Sequence, residues 1–180
     1  MLILTLTFVL SQIAMFIAMG FDFLSLQFKK RQPTFLCLIV SASLISTHYF
    51  LLGRIAAGVI VFISVLRFIT CYFTTNKKYF FIFIGLNTIS LFFTYKTPTD
   101  LIIYFGLIIF IIGNFQENNK LMRKLMMVGT SIIVLYNYII FSPMGVIAEG
   151  SFLLSNFVGY YRHYLRKKAV PGAMPPTDLN

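Results

Sequence analysis

The segment LIIYFGLIIFIIGN, residues 101–114, decides the fold, because it determines whether the chain has six or seven apolar helices. No residue in it is charged. As a helix it would be about 21 Å long, whereas the hydrocarbon core of a bilayer is about 30 Å thick. Hydropathy alone therefore leaves a crossing here undecided, and the flanking charges have to decide it.

The composition of the whole chain points to a membrane protein. Of its 180 residues, 58% are hydrophobic and only 11% are charged, and the mean hydropathy is +0.85. Soluble globular proteins contain roughly 25% charged residues. The 21 Phe and 10 Tyr exclude disorder over most of the length, and two cysteines within apolar runs exclude a disulfide scaffold. We therefore expect an all-α polytopic membrane protein.

Seven transmembrane helices are predicted when each needs about 20 mostly apolar residues. They cover residues 2–24, 34–52, 55–73, 79–95, 101–114, 125–141 and 144–161. The first has no basic stretch before it and no small-residue cleavage site, so we expect a retained helix and not a signal peptide. The last dozen residues, 169–180, hold three prolines and a glycine, and we expect them to be disordered.

The basic residues set the orientation and support the crossing at residues 101–114. With seven spans, only Arg54 and Lys96 face one side, and Arg67 lies within the third helix. The other side receives Lys29, Lys30, Arg31, Lys77, Lys78, Lys120, Arg123, Lys124, Arg162, Arg166, Lys167 and Lys168. The positive-inside bias then places the N-terminus outside and the C-terminus in the cytoplasm. Because these bases flank helix ends, we expect them to contact lipid headgroups and not nucleic acid.

An internal repeat is indicated at an offset of 87 residues. Tyr49 matches Tyr136, and Gly-Val-Ile at 58–60 matches Gly-Val-Ile at 145–147. These matches pair the second and third helices with the sixth and seventh, in the same orientation, as in transporters built from parallel repeats. The predicted units are a three-helix bundle at 1–74, a linker helix at 75–96, a second three-helix bundle at 97–163 and a cytoplasmic tail at 164–180.

Several stretches resemble the YgjV-type family of bacterial inner-membrane proteins, over nearly the whole chain to about Arg162. They are Ser25–Lys29, His48–Gly53, Ser64 with Arg67, Tyr136-Asn137, Gly145 and Glu149. The resemblance implies a relation to the SWEET, PQ-loop and PnuC-like (MtN3-like) proteins, with two three-helix bundles joined by an inversion helix. It also implies transport of a small polar solute by alternating access. The chain departs from the wider pattern, because Gln32-Pro33 reverses the PQ dipeptide and there is no tryptophan on which a sugar would stack.

Polar residues inside the apolar helices are the candidates for a solute site, because an ionisable group at the bilayer centre costs roughly 2.5–3.5 kcal/mol. In the seventh helix Gly145, Glu149, Asn156 and Gly159 recur at helical spacing, which is typical of a helix that lines a cavity. The alternative is that Glu149 is solvated near the interface and the small residues serve packing. The predicted substrate-binding residues are Glu149, Asn156, Asn137, Tyr136, Gln12 and His48.

Glu149 and Asp22 are the candidate proton-coupling groups, since a carboxyl group in a partly dehydrated site can take up and release a proton. Arg67 is predicted to form a structural ion pair with Asp22, or to extend toward the lipid headgroups. Cys37 and Cys71 have no metal-ligand spacing, and small apolar packing is the expected role of both.

The sequence contains no phosphate loop, no nucleophile motif and no metal-binding motif. We therefore expect no catalytic residue, no metal, no cofactor and no enzymatic activity. The expected partners are the lipid bilayer and a small polar solute, and a homo-oligomer is left open. The alternative function is a non-transporting membrane protein, either a ligand receptor or an assembly partner.

Overall fold

Seven α-helices make up the computed structural model, which describes residues 2–95 and 97–166. They are α1 (Leu2–Ser25), α2 (Arg31–Leu51), α3 (Ile55–Phe73), α4 (Lys77–Thr94), α5 (Asp100–Asn114), α6 (Asn119–Ile139) and α7 (Pro143–Tyr160). A π-helical turn, Tyr161–Leu165, follows α7. The described residues contain no strand, so the all-α class and the seven helices are confirmed. Apart from residues 164–166, the predicted tail lies outside the described residues.

Two helices begin earlier than hydropathy predicts, because asparagines cap them. The side chain of Asn76 accepts a hydrogen bond of 2.9 Å from the backbone of Lys78, so α4 begins at Lys77. Asn118 accepts bonds of 2.9 Å and 3.2 Å from the backbones of Lys120 and Leu121. These caps satisfy amide groups that a helix N-terminus leaves unpaired. Helix α6 therefore extends into the basic segment before its apolar run.

The helices pack mainly on their neighbours in chain order, and the first half is taken as α1–α3 and the second half as α5–α7. In the first half, α1 packs on α2 and α2 on α3, and in the second half α5 packs on α6 and α6 on α7. Helix α4 packs on α5, and α1 contacts α7 across the halves. Within the second half the backbones of α5 and α6 nearly touch, since a Cβ at Gly129 would lie 2.8 Å from the carbonyl oxygen of Gly106. Small residues permit this approach, as in membrane helix pairs.

The surface carries many large apolar side chains, and buried polar side chains lie beside an apolar core. Phe92 and Phe93 are 81% and 80% exposed. By length and composition, two described helices, Leu6–Ser25 and Arg31–Leu51, suffice to cross a membrane, and Gly58–Phe73 and Asp100–Asn114 are shorter apolar helices. The buried polar side chains are Ser11, Ser25, Thr34, Ser41, Ser46, Arg67, Asn114, Arg123, Thr130, Ser155 and Asn156.

The loops after α1, α3 and α5 meet the end of α7 at one end of the bundle, here called the basic end. It comprises residues 26–31, 71–78, 114–124 and 156–166, and side-chain hydrogen bonds join these segments. Ten of the twelve bases predicted to share one side lie here, and Lys167 and Lys168 are outside the described residues. Helix α5 returns the chain to the basic end. It therefore runs from one end of the bundle to the other, as the longer helices do.

The turn between α2 and α3 has the same backbone hydrogen bonds as the turn between α6 and α7. In the first turn the bonds run from the amides of Leu52, Gly53 and Arg54 to the carbonyls of His48, Phe50 and Tyr49. In the second they run from Ile140, Phe141 and Ser142 to Tyr136, Tyr138 and Asn137. Every pair is related by 88 residues. Helices α2 and α6 both have 21 residues and also begin 88 residues apart.

This offset corrects the predicted register by one residue at the turn. The backbone bonds relate Tyr49 to Asn137 and not to Tyr136, and they relate Gly58 to Val146 and not to Gly145. Matches between identical residues arise easily in a chain this rich in Ile, Tyr and Phe, whereas hydrogen bonds fix the geometry of a turn. The register at offset 87 is therefore wrong here.

Candidate functional site

Arg31, the first residue of α2, connects the two halves at the basic end. Its Nε and Nη2 atoms donate to the carbonyl oxygen of Cys71 at 3.0 Å and 2.8 Å. Nη2 also donates to the carbonyl of Asn114 at 2.6 Å, and Nη1 donates to that of Gln116. The last carbonyls of a helix have no intrahelical partner and form the negative end of its dipole. Arg31 thus binds the C-terminal ends of both α3 and α5.

Arg123, in the first turns of α6, makes the reciprocal connection. Its side chain is fully buried and donates to the carbonyl of Leu26 at 2.7 Å and to that of Phe28. The amide of Asn156 in α7 donates to the carbonyl of Arg123 at 3.1 Å, and its oxygen lies 3.4 Å from Nη1. Each half therefore contributes an arginine that binds the C-terminal end of the first helix of the other half.

These contacts change two assignments made from the sequence. Arg123 does not contact lipid headgroups as predicted, because the free carbonyls at the end of α1 bind its guanidinium inside the bundle. Asn156, a predicted substrate-binding residue, is fully buried, and Arg123 occupies both ends of its amide. In this arrangement Asn156 holds α7 against α6.

Helices α1 and α7 form a polar seam between the halves. Ser155 Oγ donates to the carbonyl of Phe23 at 2.6 Å and accepts from Gln27 Nε2 at 2.8 Å. One turn later, Gly159 lies directly against the carbonyl of Leu26, with no space for a Cβ atom. The paired residue numbers rise together, so α1 and α7 run parallel.

Two carboxyl groups approach this seam from opposite halves. Asp22 of α1 and Glu149 of α7 interact electrostatically, and Asp22 faces the hydroxyl group of Ser41 in α2. Ser41 is fully buried. These two predicted proton-coupling candidates, here called the carboxyl pair, are within electrostatic range of each other. Chemically, this carboxyl pair suits a cationic or hydrogen-bond-donating group.

The opposite end of the bundle contains the turns 52–54 and 140–142 and is here called the far end. Four more of the predicted residues lie toward it, namely Gln12, His48, Tyr136 and Asn137. His48 Nδ1 lies 2.8 Å from the carbonyl oxygen of Ser11, and this contact joins α2 to α1. Gln12 is exposed, and its Nε2 donates to Ser11 Oγ at 3.3 Å. His48 therefore has a structural partner, and Gln12 lies on the surface.

In the second half, Asn137 Nδ2 donates to the carbonyl of Ile133 at 3.0 Å, and Tyr136 interacts electrostatically with Asp100. Hence the six predicted substrate-binding residues occupy three places. Glu149 lies along the seam, Asn156 at the basic end, and Gln12, His48, Tyr136 and Asn137 at the far end.

Arg67 and Asp22 have other partners than the predicted ion pair. The guanidinium carbon of Arg67 lies 5.0 Å from the ring centroid of Phe68 and 5.9 Å from that of Phe110 in α5. Cation–π contacts of this kind stabilise an arginine in apolar surroundings. No Arg67–Asp22 ion pair is found among the described residues, since Asp22 faces Ser41 and Glu149 instead.

Arginines 31 and 123 are the functional residues that sequence reasoning grouped with the surface lysines. The sequence contains one indication of their different role, since each is an arginine next to a lysine. The planar guanidinium donates to several carbonyl oxygens at once, which an ammonium does less well. Ser155 and Gln27 gave no signal, because their contact spans 128 residues of sequence.

The Imp-YgjV family model, described as a bacterial inner membrane protein, matches residues 9–167. The chain belongs to this family. The predicted family resemblance and inner-membrane location are thereby confirmed at that level. No curated protein and no solved structure matches the chain significantly.

Membership of an inner-membrane family explains the apolar exterior described above. Among the described residues, a cleft and a groove open on the bundle, and neither is lined by Asp22 or Glu149. A cleft of about 630 Å³ lies at the basic end between Lys77, Phe81, Gln116 and Glu117, and a groove of about 430 Å³ lies between α6 and α7 beside Ser131 and Leu154. Within the described residues, no group of three or more His, Cys, Asp or Glu side chains is placed to hold a metal ion.

Proposed function

We propose that this protein carries a small polar solute across the inner membrane by alternating access of its two three-helix halves. The reciprocal contacts of Arg31 and Arg123 are the observation on which this proposal depends. Each arginine binds the end of the other half's first helix, so the halves meet through exchangeable hydrogen bonds as well as apolar packing. Two units joined in this way can rock against each other around a site between them.

The matched turns support a parallel repeat of the 3+1+3 type. Residues at an offset of 88 make the same backbone bonds, and α4 is left as the linker between the halves. This arrangement is the one expected from a relation to the SWEET and PQ-loop proteins, and that relation is part of the proposal. We also propose that the basic end faces the cytoplasm, with the N-terminus outside, because it holds ten bases.

The carboxyl pair is the proposed solute site. Asp22 and Glu149 come from different halves, so a relative movement of the halves would change their separation. The buried hydroxyl group of Ser41, which faces Asp22, adds a third polar group to this site. In the described conformation the arginines close the basic end, and the cytoplasmic gate of the transporter would consist of these contacts.

The alternative is a non-transporting membrane protein, a receptor or an assembly partner. Close packing of α5 on α6 at Gly106 and Gly129 is compatible with both functions, because both helices belong to the same half. Cysteine labelling separates the two functions. In a variant without Cys37 and Cys71, a transporter should allow a water-soluble thiol reagent to reach a cysteine at position 149. A cysteine at the exposed position of Leu154 is the lipid-facing control.

The direct test of transport is uptake of an identified solute. A screen of solutes for thermal stabilisation of the purified protein identifies one, since a ligand that binds the folded state raises its apparent stability.

A cross-link at the basic end tests the gating proposal. Thr75 Oγ1 and Glu117 Oε1 lie 3.1 Å apart at the basic end and join the α3–α4 loop to the α5–α6 loop. Cross-linking cysteines at these positions should abolish uptake, and uptake that persists after complete cross-linking would contradict the gating proposal.

Proton coupling is a separate part of the proposal and is assigned to the carboxyl pair. If Glu149 is the coupling group, uptake by the native protein should vary between acidic and neutral pH. Uptake by Glu149→Gln should be independent of pH while solute binding persists, and Asp22→Asn tests the other carboxyl in the same way. A pH dependence that survives in Glu149→Gln would exclude Glu149 as the coupling group.

A further inference from the structure

Two buried polar side chains near the basic end have hydrogen-bonding atoms without partners. Arg67 Nε is buried and makes no hydrogen bond within the described part of the chain. The side chain of Asn114 is fully buried, and both its Nδ2 and its Oδ1 have no partner there. Buried polar atoms are nearly always hydrogen-bonded, so each exception needs an explanation such as an unseen ligand or water.

These side chains converge at the junction of α3 and α5. Arg67 stacks on Phe110, which lies one helical turn before Asn114 in α5. Arg31 binds the carbonyl oxygens of both Asn114 and Cys71, and Arg67 and Arg31 both interact electrostatically with Cys71. Two guanidinium groups and one amide without a hydrogen-bond partner among the described residues therefore lie near the C-terminal ends of α3 and α5.

The charge at this junction is not balanced by a carboxylate. The interactions found for Arg67 are with Cys71 and two aromatic rings. Glu117 interacts with Arg31, but it is exposed and binds Thr75. A buried cation without a counter-ion is costly, and the usual solution in proteins is a paired anion.

We propose that Arg67, Asn114 and Arg31 form a binding site for one small oxyanion group, a phosphate. Its oxygens would accept hydrogen bonds from Arg67 Nε and Asn114 Nδ2, and Arg31 would add positive charge from the α2 end. A hydroxyl group of the ligand, either the P–OH of a free phosphate or a hydroxyl of a lipid headgroup, would donate to Asn114 Oδ1. Arginine suits this role because its rigid, planar donors match oxyanion geometry. The assignment does not depend on the proposed transport.

The cleft of about 630 Å³ at the basic end lies beside this site. It is lined by Gln116 and Phe115, which directly follow Asn114, and Lys77 lies at its edge. Arg31 binds the carbonyl of Gln116 and so separates the cleft from the junction. The phosphate has two sources, a free ion from the cytoplasm or the headgroup of an anionic lipid, and the chemistry of recognition is the same for both.

Phosphate binding to the purified full-length protein tests the proposal. Inorganic phosphate is titrated into detergent-solubilised protein, and the same preparation is compared in nanodiscs of phosphatidylglycerol and of phosphatidylcholine. One phosphate per chain should bind in detergent if the ion is the ligand. If the headgroup is the ligand, phosphatidylglycerol should raise the melting temperature above that in phosphatidylcholine. Arg67→Gln should weaken either effect by about tenfold or more, as expected for loss of a charged hydrogen bond.

Asn114→Leu gives an independent test that does not require removal of a charge. Leucine has a similar size, and the amide it replaces makes no bond in the described structure, so the ligand-free protein should be at least as stable as the native one. Binding of the phosphate should be weakened as strongly as in Arg67→Gln. The matched control is Asn156→Leu, which removes a hydrogen-bonded amide and should lower the melting temperature but leave phosphate binding intact.

Lys30→Gln, at an exposed base near the same end, controls for unspecific attraction of anions and should leave binding unchanged. Three results would overturn the proposal. They are the absence of any response to phosphate or phosphatidylglycerol, a response that Arg67→Gln and Asn114→Leu leave intact, and an equal loss of binding in Lys30→Gln. The first would mean that water alone occupies the junction.

Discussion

Gly53 and Phe141 hold the same position in two matching turns, and both have a positive φ angle, 70° and 53°. The residues before them, Leu52 and Ile140, also agree, with φ and ψ of −83° and 2° against −84° and 9°. Glycine adopts this left-handed conformation freely, whereas any residue with a Cβ atom is strained there. The turn at Gly53 is therefore unstrained, whereas the turn at Phe141 holds a residue with a Cβ atom in the strained left-handed conformation.

Phe141→Gly should therefore stabilise the protein by about 1 kcal/mol. The ring is 91% exposed, so its removal sacrifices little packing within the bundle. Thermal or chemical unfolding in detergent measures the change, and Gly53→Ala is the opposite control and should destabilise. If Phe141→Gly were destabilising, the ring would have to contribute more through the membrane interface than the backbone strain costs.

Arg123→Lys should lower the free energy of unfolding by about 2 kcal/mol or more, because a lysine cannot reach the carbonyls of Leu26 and Phe28 with the same two-pronged geometry. Lys124→Arg, at the exposed neighbouring position, is the matched control and should have little effect. Denaturant unfolding of the two variants measures the difference. Equal stabilities would show that the contact between α6 and the end of α1 is not stabilising.

Gly159→Ala should separate α7 from α1, because its Cβ atom would collide with the carbonyl of Leu26. The expected loss is about 1–3 kcal/mol, as for other overpacked sites. Gly150→Ala in the same helix meets nothing within 4 Å and should instead stabilise the protein by up to about 1 kcal/mol. Melting temperatures that move in the same direction for both variants would contradict the described seam.

Reporter fusions test the proposed orientation. Fusions after Lys78 and after Arg166 should both report the cytoplasm, since both positions belong to the basic end. A fusion after Gly53, in the turn at the far end, should report the periplasm. A periplasmic signal at Lys78 or Arg166 would disprove either the orientation or the number of crossings.

Much of the fold was predictable because helix formation in a membrane protein depends on local apolar length. Every predicted span corresponds to a described helix, including the short α5 that the flanking charges supported. The boundaries that moved are those of α2, α4 and α6, whose first turns extend into basic segments. At α4 and α6 the helix begins early because Asn76 and Asn118 cap it.

The candidate site was less predictable, because it depends on how helices are rotated and placed against one another. The sequence singled out Asp22 and Glu149 as ionisable residues inside apolar helices, but it did not indicate that they lie within electrostatic range of each other. The same reasoning assigned Asn156 to a solute site, whereas its amide is engaged by Arg123. Two residues of the same type contribute equally to the composition. Only the side chains that surround each of them in the folded protein distinguish their roles.

The sequence by itself determined the membrane class, the seven helices and the clustering of bases at one end, because each depends on apolar length or on charge between neighbouring segments. Only the tertiary structure decided which polar groups meet. The bond from Arg31 to Asn114 spans 83 residues, and the contact between Arg123 and Asn156 spans 33. Such partners depend on the register between packed helices, since a shift of one residue rotates a side chain by about 100° around its helix.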